Sequence, residues 1–179
     1  MKKTKYIMSW GLAFAEKQDL EKLSKKAKQG WRLKSLAFAG FRLEKGAPEH
    51  VQYSVDYRLL KEGEKEEYLE LFSQAGWEHV CSSYDIHIFK APYGTTPIYS
   101  DTESAVDKLD RLLKPVSLIG KFILPLTMIS YLLMNFLTGP IEQFSKIIFL
   151  ISMVFAVPTL MMVVALMLRK KKLTITKSY

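Results

Sequence analysis

Four residues with metal-binding or nucleophilic side chains, His79, Cys81, Asp85 and His87, fall on one short segment that is predicted to be a β-hairpin. A structural zinc site needs three or four such ligands converging at about 2.0–2.3 Å. His79 and Cys81, two residues apart on a strand, are predicted to share a face. The spacing matches no standard zinc pattern, so we predict no metal site and interpret the segment as a polar edge hairpin with one buried thiol. A site built from His79, Cys81 and His87 stays an open alternative.

The sequence contains no group of residues typical of a catalytic site. Cys81 lacks a base and an orienting partner in any recognisable motif, and no Gly-rich phosphate loop occurs. Several carboxylates fall on predicted helix surfaces, where a solvated face is the simplest interpretation: Glu62, Glu64, Glu66, Glu67 and Glu70. We therefore predict that the protein is not an enzyme and holds no cofactor. A membrane-bound hydrolase that uses Cys81 is the disfavoured alternative.

Aromatic residues are a more informative excess in the first two thirds of the chain. Most of them must form the core, but a two-layer fold leaves one sheet face open, where a few could line a groove for a ligand or a partner. The candidate ligand-binding residues are Trp31, Trp77, Tyr53 and Tyr57. For the two tryptophans, packing of a helix against a sheet is the simpler interpretation, because each directly follows a predicted helix.

Residues 1–98 are predicted to form one cytoplasmic α+β domain. Gly30-Trp31 and Gly76-Trp77 lie 46 residues apart, and at each pair a predicted helix ends and a strand begins. The pattern predicts a duplicated strand–helix–strand–strand unit, in repeats of about 5–46 and 50–92. The two units are expected to build an antiparallel sheet covered on one face by two helices.

The first predicted helix of this domain, Asp19–Gln29, is rich in lysine. Its apolar residues, Leu20, Leu23 and Ala27, fall on one face, as expected for a helix that packs on a core. Four lysines on this helix could lie against anionic headgroups, and a solvated helix face is the alternative: Lys22, Lys25, Lys26 and Lys28.

Residues 116–168 are predicted to form a transmembrane α-helical hairpin. Its two spans, 116–138 and 144–168, contain one charged residue each and exceed the roughly 20 residues that cross a bilayer core. The linker Gly139–Gln143 contains Gly-Pro, which ends one helix and starts the next, so the spans should run antiparallel. Several polar side chains could hydrogen-bond across the pair: Ser130, Asn135, Ser152 and Thr159.

The flanks of the hairpin predict its orientation in the cell membrane. Residues 99–115 are expected to form a connector helix, with Ser100 and Glu103 at capping-box spacing or with Asp101 or Thr102 as the cap. Residues 169–179 are expected to form a basic tail. Basic residues on these flanks are expected to stay cytoplasmic, which places both termini in the cytoplasm and makes part of the tail a membrane-surface contact. The tail contributes Arg169, Lys170, Lys171 and Lys172 to that contact.

The positive charge of the chain argues against nucleic acid as a direct partner. The formal net charge is +8, but residues 115–179 account for most of it, because they carry seven Lys and Arg against one Glu. The excess therefore belongs to the membrane flanks rather than to a nucleic-acid footprint. The single cysteine excludes an internal disulfide, in agreement with a reduced cytoplasmic domain.

Several motifs resemble a known bacterial family in their order and spacing. They are Gln29-Gly30-Trp31-Arg32-Leu33, Phe41-Arg42-Leu43-Glu44-Lys45-Gly46, Val51-Gln52-Tyr53-Ser54-Val55-Asp56-Tyr57, Tyr68-Leu69-Glu70-Leu71-Phe72, Ala75-Gly76-Trp77-Glu78 and Ile98-Tyr99-Ser100-Asp101-Thr102-Glu103-Ser104. Over about residues 5–113 the chain resembles the family catalogued as domain of unknown function 2812. The resemblance implies a cytoplasmic domain of Gram-positive bacteria, often followed by membrane spans and often encoded beside PadR-type transcription regulators. The family has no established activity, so it assigns no residue a role.

The function expected from these features is a non-enzymatic, membrane-anchored binding or sensor module. It would bind a small amphipathic ligand or a protein partner in an envelope-stress or toxic-compound response, and the resemblance implies a PadR-type regulator as that partner. By predicted topology alone the domain is similar to gyrase-inhibitor-like modules, which hold small molecules between repeats. The alternative is a structural or protective membrane protein whose hairpin assembles with other membrane subunits.

Overall fold

The computed structural model of the protein describes residues 3–99 and 102–176, and it divides into two units, Met1–Lys108 and Leu109–Tyr179. The first unit is a mixed α+β fold and the second is helical, as predicted. The elements in chain order are β1 (Thr4–Met8), α1 (Leu12–Lys28), β2 (Trp31–Ala37), β3 (Gly40–Lys45), β4 (Val51–Tyr57), α2 (Lys65–Gln74), β5 (Glu78–Ser83), β6 (Ile86–Pro92), α3 (Thr102–Phe136) and α4 (Pro140–Thr176).

The strands form two antiparallel three-stranded sheets with the same internal arrangement. The first has the order β1-β3-β2 and the second β4-β6-β5, so the predicted strand–helix–strand–strand order is present in each half. Where one sheet was expected, the hydrogen-bonded ladders separate. The two edge strands that face each other both carry a register shift, between Leu33 and Ser35 in β2 and between His79 and Cys81 in β5. A bulge bends its strand and interrupts pairing, so β2 and β5 contact each other without a continuous ladder.

Helix α1 begins earlier than predicted, at Leu12 rather than at Asp19, and it is kinked at Ala15, whose backbone angles are not helical. Gly11 before it has φ of 93°, a left-handed conformation that glycine adopts without strain. The fully buried carboxylate of Asp19 accepts hydrogen bonds from the Ser9 hydroxyl at 2.5 Å and from the Trp10 backbone N–H at 3.0 Å. These bonds hold the preceding loop against the helix. The helix propensity of the neighbouring residues does not predict them.

The two sheets differ in how much of each is covered. One side of the second sheet packs on α2 through a cluster of Tyr68, Phe72, Trp77, Phe89 and Ala91. The opposite side is also buried, because Val55 and Ile88 are fully enclosed. An open sheet face, which the sequence predicted for the whole domain, occurs only in the first sheet, where Tyr6 and Met8 are exposed. The core therefore lies mainly around the second sheet.

The second unit contains most of two long apolar helices. The predicted connector and first span are parts of one helix, α3, which continues through Pro115 and Pro125. Helix α4 likewise continues through the basic tail as far as Thr176. Both are long and apolar enough to cross a membrane. The predicted capping residues Ser100 and Asp101 lie outside the described residues, as do residues 177–179 of the tail.

Within the second unit, α3 and α4 pair antiparallel. The Tyr131 and Phe149 rings lie 5.8 Å apart, and the Lys170 ammonium lies 2.6 Å from the Asp110 carboxylate. The prediction that polar groups bond across the pair is wrong for three of the four candidates. Ser130, Asn135 and Ser152 donate to carbonyl oxygens of their own helix. In an apolar environment a short polar side chain bonds the nearest acceptor, a carbonyl one turn earlier.

Candidate binding groove

A groove of about 690 Å³ runs between α1 and β4 in the first unit. Its apolar lining consists of Leu20, Tyr53, Trp77, Tyr93 and Pro97, and its polar lining consists of Glu16, Lys17, Glu21, Ser24, Lys25, Lys28, Gln52 and Ser54. Helix α1 comes from the first half of the domain and Trp77 from the second, so the groove forms only when the halves pack together. Its volume falls in the range of small-molecule sites.

Two of the four predicted ligand-binding residues, Tyr53 and Trp77, line this groove. The buried Tyr53 hydroxyl accepts the Leu33 backbone N–H at 3.5 Å, and burial raises the pKa of this phenol, so it stays protonated at neutral pH. Trp77 directly follows Gly76, whose φ of 81° ends α2. The Trp77 indole N–H donates to the Thr96 carbonyl at 3.1 Å, which fixes the ring in the groove wall.

The polar side of the groove is basic. It carries three lysines against two glutamates, and Glu16 is already paired with Lys108 at 2.5 Å. The Lys28 ammonium lies 5.4 Å from the centre of the Tyr93 ring, a cation–π distance. The groove therefore combines an aromatic wall with an excess of positive charge.

The other two candidate residues lie elsewhere. Trp31 is half-buried, with the ammonium groups of Lys45 and Lys5 at 5.1 Å and 5.7 Å from its ring. Tyr57 is buried, and the Lys108 ammonium lies 5.5 Å from its ring. The structure does not bring either residue to the groove, so the four aromatic residues do not form one site.

The lysines predicted to meet the membrane surface also divide into two pairs. Lys25 and Lys28 line the groove. Lys22 donates to the Met8 carbonyl at 2.6 Å, and Lys26 donates to the Gln29 side chain at 3.1 Å. In the tail, Arg169 and Lys170–Lys172 belong to α4. Their contact with lipid stays a prediction.

The candidate metal ligands His79, Cys81, Asp85 and His87 lie on or between β5 and β6, and a bulge changes the directions that were expected for the first two. The prediction that His79 and Cys81 share a face is wrong, because the bulge between them pairs His79 with Phe89 and Cys81 with Ile88, on opposite sides of the sheet. Ser82 links the two histidines, 2.7 Å from His79 Nε2 and 2.7 Å from His87 Nδ1. Within residues 3–99 and 102–176, no three His, Cys, Asp or Glu side chains are arranged to hold a metal ion.

Cys81 should be an unreactive thiol. Burial raises its pKa to about 11, with a smaller opposing effect from the Leu36 backbone. At pH 8 the thiolate fraction is then roughly 100-fold lower than for an ordinary exposed cysteine, and the thiolate is the reactive form. We expect iodoacetamide to alkylate Cys81 at least about 100-fold more slowly in the native protein than in denaturant, with about a tenfold acceleration per pH unit above 8. Rapid native alkylation at pH 8 would contradict this burial.

No pattern in the sequence indicates that the side chain of Asp56 is heavily hydrogen-bonded. It alternates with apolar residues in β4 and so suggests a solvated face, yet it is almost completely buried. Its carboxylate accepts hydrogen bonds from the Tyr57 backbone N–H at 2.6 Å, from the Tyr68 hydroxyl at 2.8 Å and from the Tyr99 hydroxyl. No local signal distinguishes such a carboxylate, because two of these three partners come from α2 and from the segment before α3.

A family model described as "Protein of unknown function (DUF2812)" matches residues 15–120, more than half of the chain. The match covers α1 from Ala15 onward, both sheets apart from β1, α2 and the beginning of α3. It therefore includes every residue of the groove. No curated protein and no solved structure matches the chain.

Proposed function

Since the chain belongs to the DUF2812 family, whose description states no activity, we propose from its own geometry that it is a non-enzymatic binding module held at a membrane. The observation that carries this proposal is the groove between α1 and β4, where Tyr53 and Trp77 meet the lysines of α1. Its ligand is small and amphipathic, as the aromatic lining requires. The binding event reports a toxic compound or damage to the envelope.

The charge of the groove defines the ligand more closely. An aromatic wall favours a flat apolar group, and lysine ammonium groups favour a carboxylate, sulfonate or phosphate. Glu16 does not cancel this preference, because its carboxylate is paired with Lys108. An anionic amphiphile with an aromatic or otherwise apolar body therefore fits both sides.

Removal of the two groove lysines should weaken the binding of an anionic aromatic probe. We expect the double substitution Lys25→Gln, Lys28→Gln to raise the Kd of anilinonaphthalene sulfonate about tenfold, which corresponds to a loss of roughly 1.4 kcal/mol. The measurement is fluorescence titration of the full chain in nanodiscs, with empty nanodiscs of the same lipid as the blank.

The same helix provides a matched control. The double substitution Lys22→Gln, Lys26→Gln removes the same charge from α1, but outside the groove lining. It should change the Kd less than about twofold, because these two ammonium groups are bound to the Met8 carbonyl and the Gln29 side chain, and salt screens their remaining effect on the groove. Equal weakening by both pairs would show only general attraction of the probe to a basic helix. Absence of saturable binding to the wild-type chain would remove the proposal.

The proposed location is the cell membrane, with two spans and both termini cytoplasmic. The lysines and arginines that flank the spans support this orientation. The pairing of α3 and α4 supports the role of anchor, because their buried small residues, Ser130, Ser145, Ser152 and Ala156, already lie within the pair. Small residues of this kind usually mark a helix–helix interface in lipid. The larger apolar side chains that remain exposed suit contact with acyl chains.

A PadR-type regulator is the proposed protein partner, and only the family resemblance supports it. Purification of the full chain from its native membrane in mild detergent, followed by mass spectrometry, tests this part separately. Capture of a soluble regulator, released when the groove probe is added, would support signalling through the groove. Capture of integral membrane proteins alone would favour the assembly role.

Exchange of residues 116–168 for an unrelated two-span anchor should leave a binding module active and inactivate an assembly protein.

A further inference from the structure

Four large apolar side chains are exposed together at one end of the first sheet. The exposed fractions are 97% for Phe38, 74% for Trp10, 66% for Met8 and 41% for Phe14. We name these four residues the aromatic end. Exposed apolar groups of this size, gathered in one place, usually mark a contact surface. None of the four lines the groove.

The aromatic end is held in place rather than left as a loose loop. The Ser9 backbone N–H donates to the Ala39 carbonyl at 3.0 Å, which places Trp10 beside the turn that carries Phe38. The Tyr6 hydroxyl lies 3.0 Å from the Phe38 carbonyl and braces the same turn. On the other side, the buried Asp19 carboxylate binds the Trp10 backbone N–H. The backbone positions of Trp10 and Phe38 are therefore fixed next to each other.

The aromatic end is close to the place where the chain leaves the first unit. Phe14 lies at the start of α1, and Glu16, two residues further along and just past a kink at Ala15, is paired with Lys108, the last residue of that unit, at 2.5 Å. In the sequence, only residues 109–115 separate Lys108 from the predicted first span. If that span enters a bilayer, the headgroup layer begins within a short length of chain from this position.

We infer that the aromatic end inserts into the headgroup layer of the bilayer that holds α3 and α4. The indole of Trp10 is suited to the boundary between water and acyl chains, because it combines an apolar body with a polar N–H, and Phe14 and Phe38 add apolar surface that can enter the same layer. Lys22, which binds the Met8 carbonyl, adds a positive charge beside the insertion, as anionic headgroups require. The inference rests on the proposed membrane anchor but not on ligand binding in the groove.

Trp10 itself reports whether this contact exists. It is the most exposed of the chain's three tryptophans, because Trp77 is buried and Trp31 is half-buried. The experiment uses the full chain in proteoliposomes of phosphatidylcholine and phosphatidylglycerol, with and without bromine atoms near the carbonyl end of the acyl chains. We expect brominated lipid to quench part of the tryptophan emission, and Trp10→Phe to abolish that quenching. Acrylamide should quench the same component weakly.

The hairpin of β5 and β6 offers a matched control. Tyr84 is exposed at the tip of this hairpin, as Phe38 is at the tip of the hairpin of β2 and β3. In a Trp10→Phe background, Phe38→Trp should restore quenching by brominated lipid. In the same background, Tyr84→Trp should be quenched by acrylamide and not by brominated lipid. Equal bromolipid quenching at both positions would overturn the assignment of the contact to the aromatic end.

The experiment distinguishes failure of the membrane anchor formed by α3 and α4 from failure of the bilayer contact made by the aromatic end. Flotation of the proteoliposomes first tests whether the chain is inserted, and a chain that does not float with lipid refutes the anchor. A chain that floats but whose Trp10 is quenched by acrylamide alone refutes the bilayer contact and leaves a protein as the occupant of this surface. Bromolipid quenching that disappears in Trp10→Phe supports the inference.

Discussion

Asp56→Ala should lower the free energy of unfolding of the protein by about 3–4 kcal/mol. The substitution removes the acceptor of three hydrogen bonds in a buried site, donated by the Tyr57 backbone and by the Tyr68 and Tyr99 hydroxyls. A buried donor without an acceptor costs about 1–3 kcal/mol, and the relief from burying a carboxylate offsets part of the sum. The measurement is urea unfolding of the full chain in mild detergent, followed by near-ultraviolet circular dichroism.

Three conservative variants change the hydrogen bonds of this network while keeping most of the side-chain volume. Asp56→Asn keeps one carbonyl oxygen and should lose about half as much stability as Asp56→Ala. Tyr68→Phe and Tyr99→Phe should each lose about 1 kcal/mol, because one donor is removed and the carboxylate keeps the others. A change of less than about 0.5 kcal/mol for Asp56→Ala would mean that the network contributes little.

Trp77→Ala should destabilise the protein by about 3–5 kcal/mol, whereas Trp31→Ala should cost about 1 kcal/mol. The two tryptophans hold equivalent positions after Gly76 and Gly30, and the sequence suggested that both lock a helix to a sheet. Trp77 packs in the cluster under α2, and its removal leaves a cavity that rigid neighbours fill poorly. Trp31 is half-buried beneath lysine side chains, which can rearrange.

The same unfolding measurement compares the two variants directly. Trp77→Phe keeps most of the ring volume but loses the bond to the Thr96 carbonyl, so its cost should fall between the two alanine variants. Equal destabilisation by Trp77→Ala and Trp31→Ala would contradict the difference in packing. It would also restore the equivalence of the two halves at these positions.

Patterns of neighbouring residues were sufficient to predict most of the helices and strands. The second helix was predicted to end at Gly76-Trp77, and it lies at Lys65–Gln74, because Gly76 takes a left-handed conformation that ends it. The residues of Val51–Tyr57 alternate between apolar and polar, which is typical of a strand, and this segment is β4. The two long apolar helices followed from length and composition alone.

Features that depend on distant residues were beyond such signals. The bulge before Cys81 turns one side chain to the opposite face, and nothing in the neighbouring letters distinguishes a bulged strand from a regular one. The burial of Asp19 and Asp56 likewise depends on donors from other segments. Tyr53 and Trp77 were selected for their aromatic character, but their meeting in one groove results from the packing of α1 against β4, which no local pattern specifies.

The division of the strands into two sheets has a consequence for the order of events during synthesis. All strands of the first sheet lie within residues 4–45 and all strands of the second within residues 51–92. Each set of backbone pairings is therefore complete in sequence before translation reaches the apolar helices. Contacts between residues close in sequence form quickly, and N-terminal domains generally fold first as the chain emerges from the ribosome. The membrane insertion machinery would then receive two apolar helices attached to a domain whose strands are already paired.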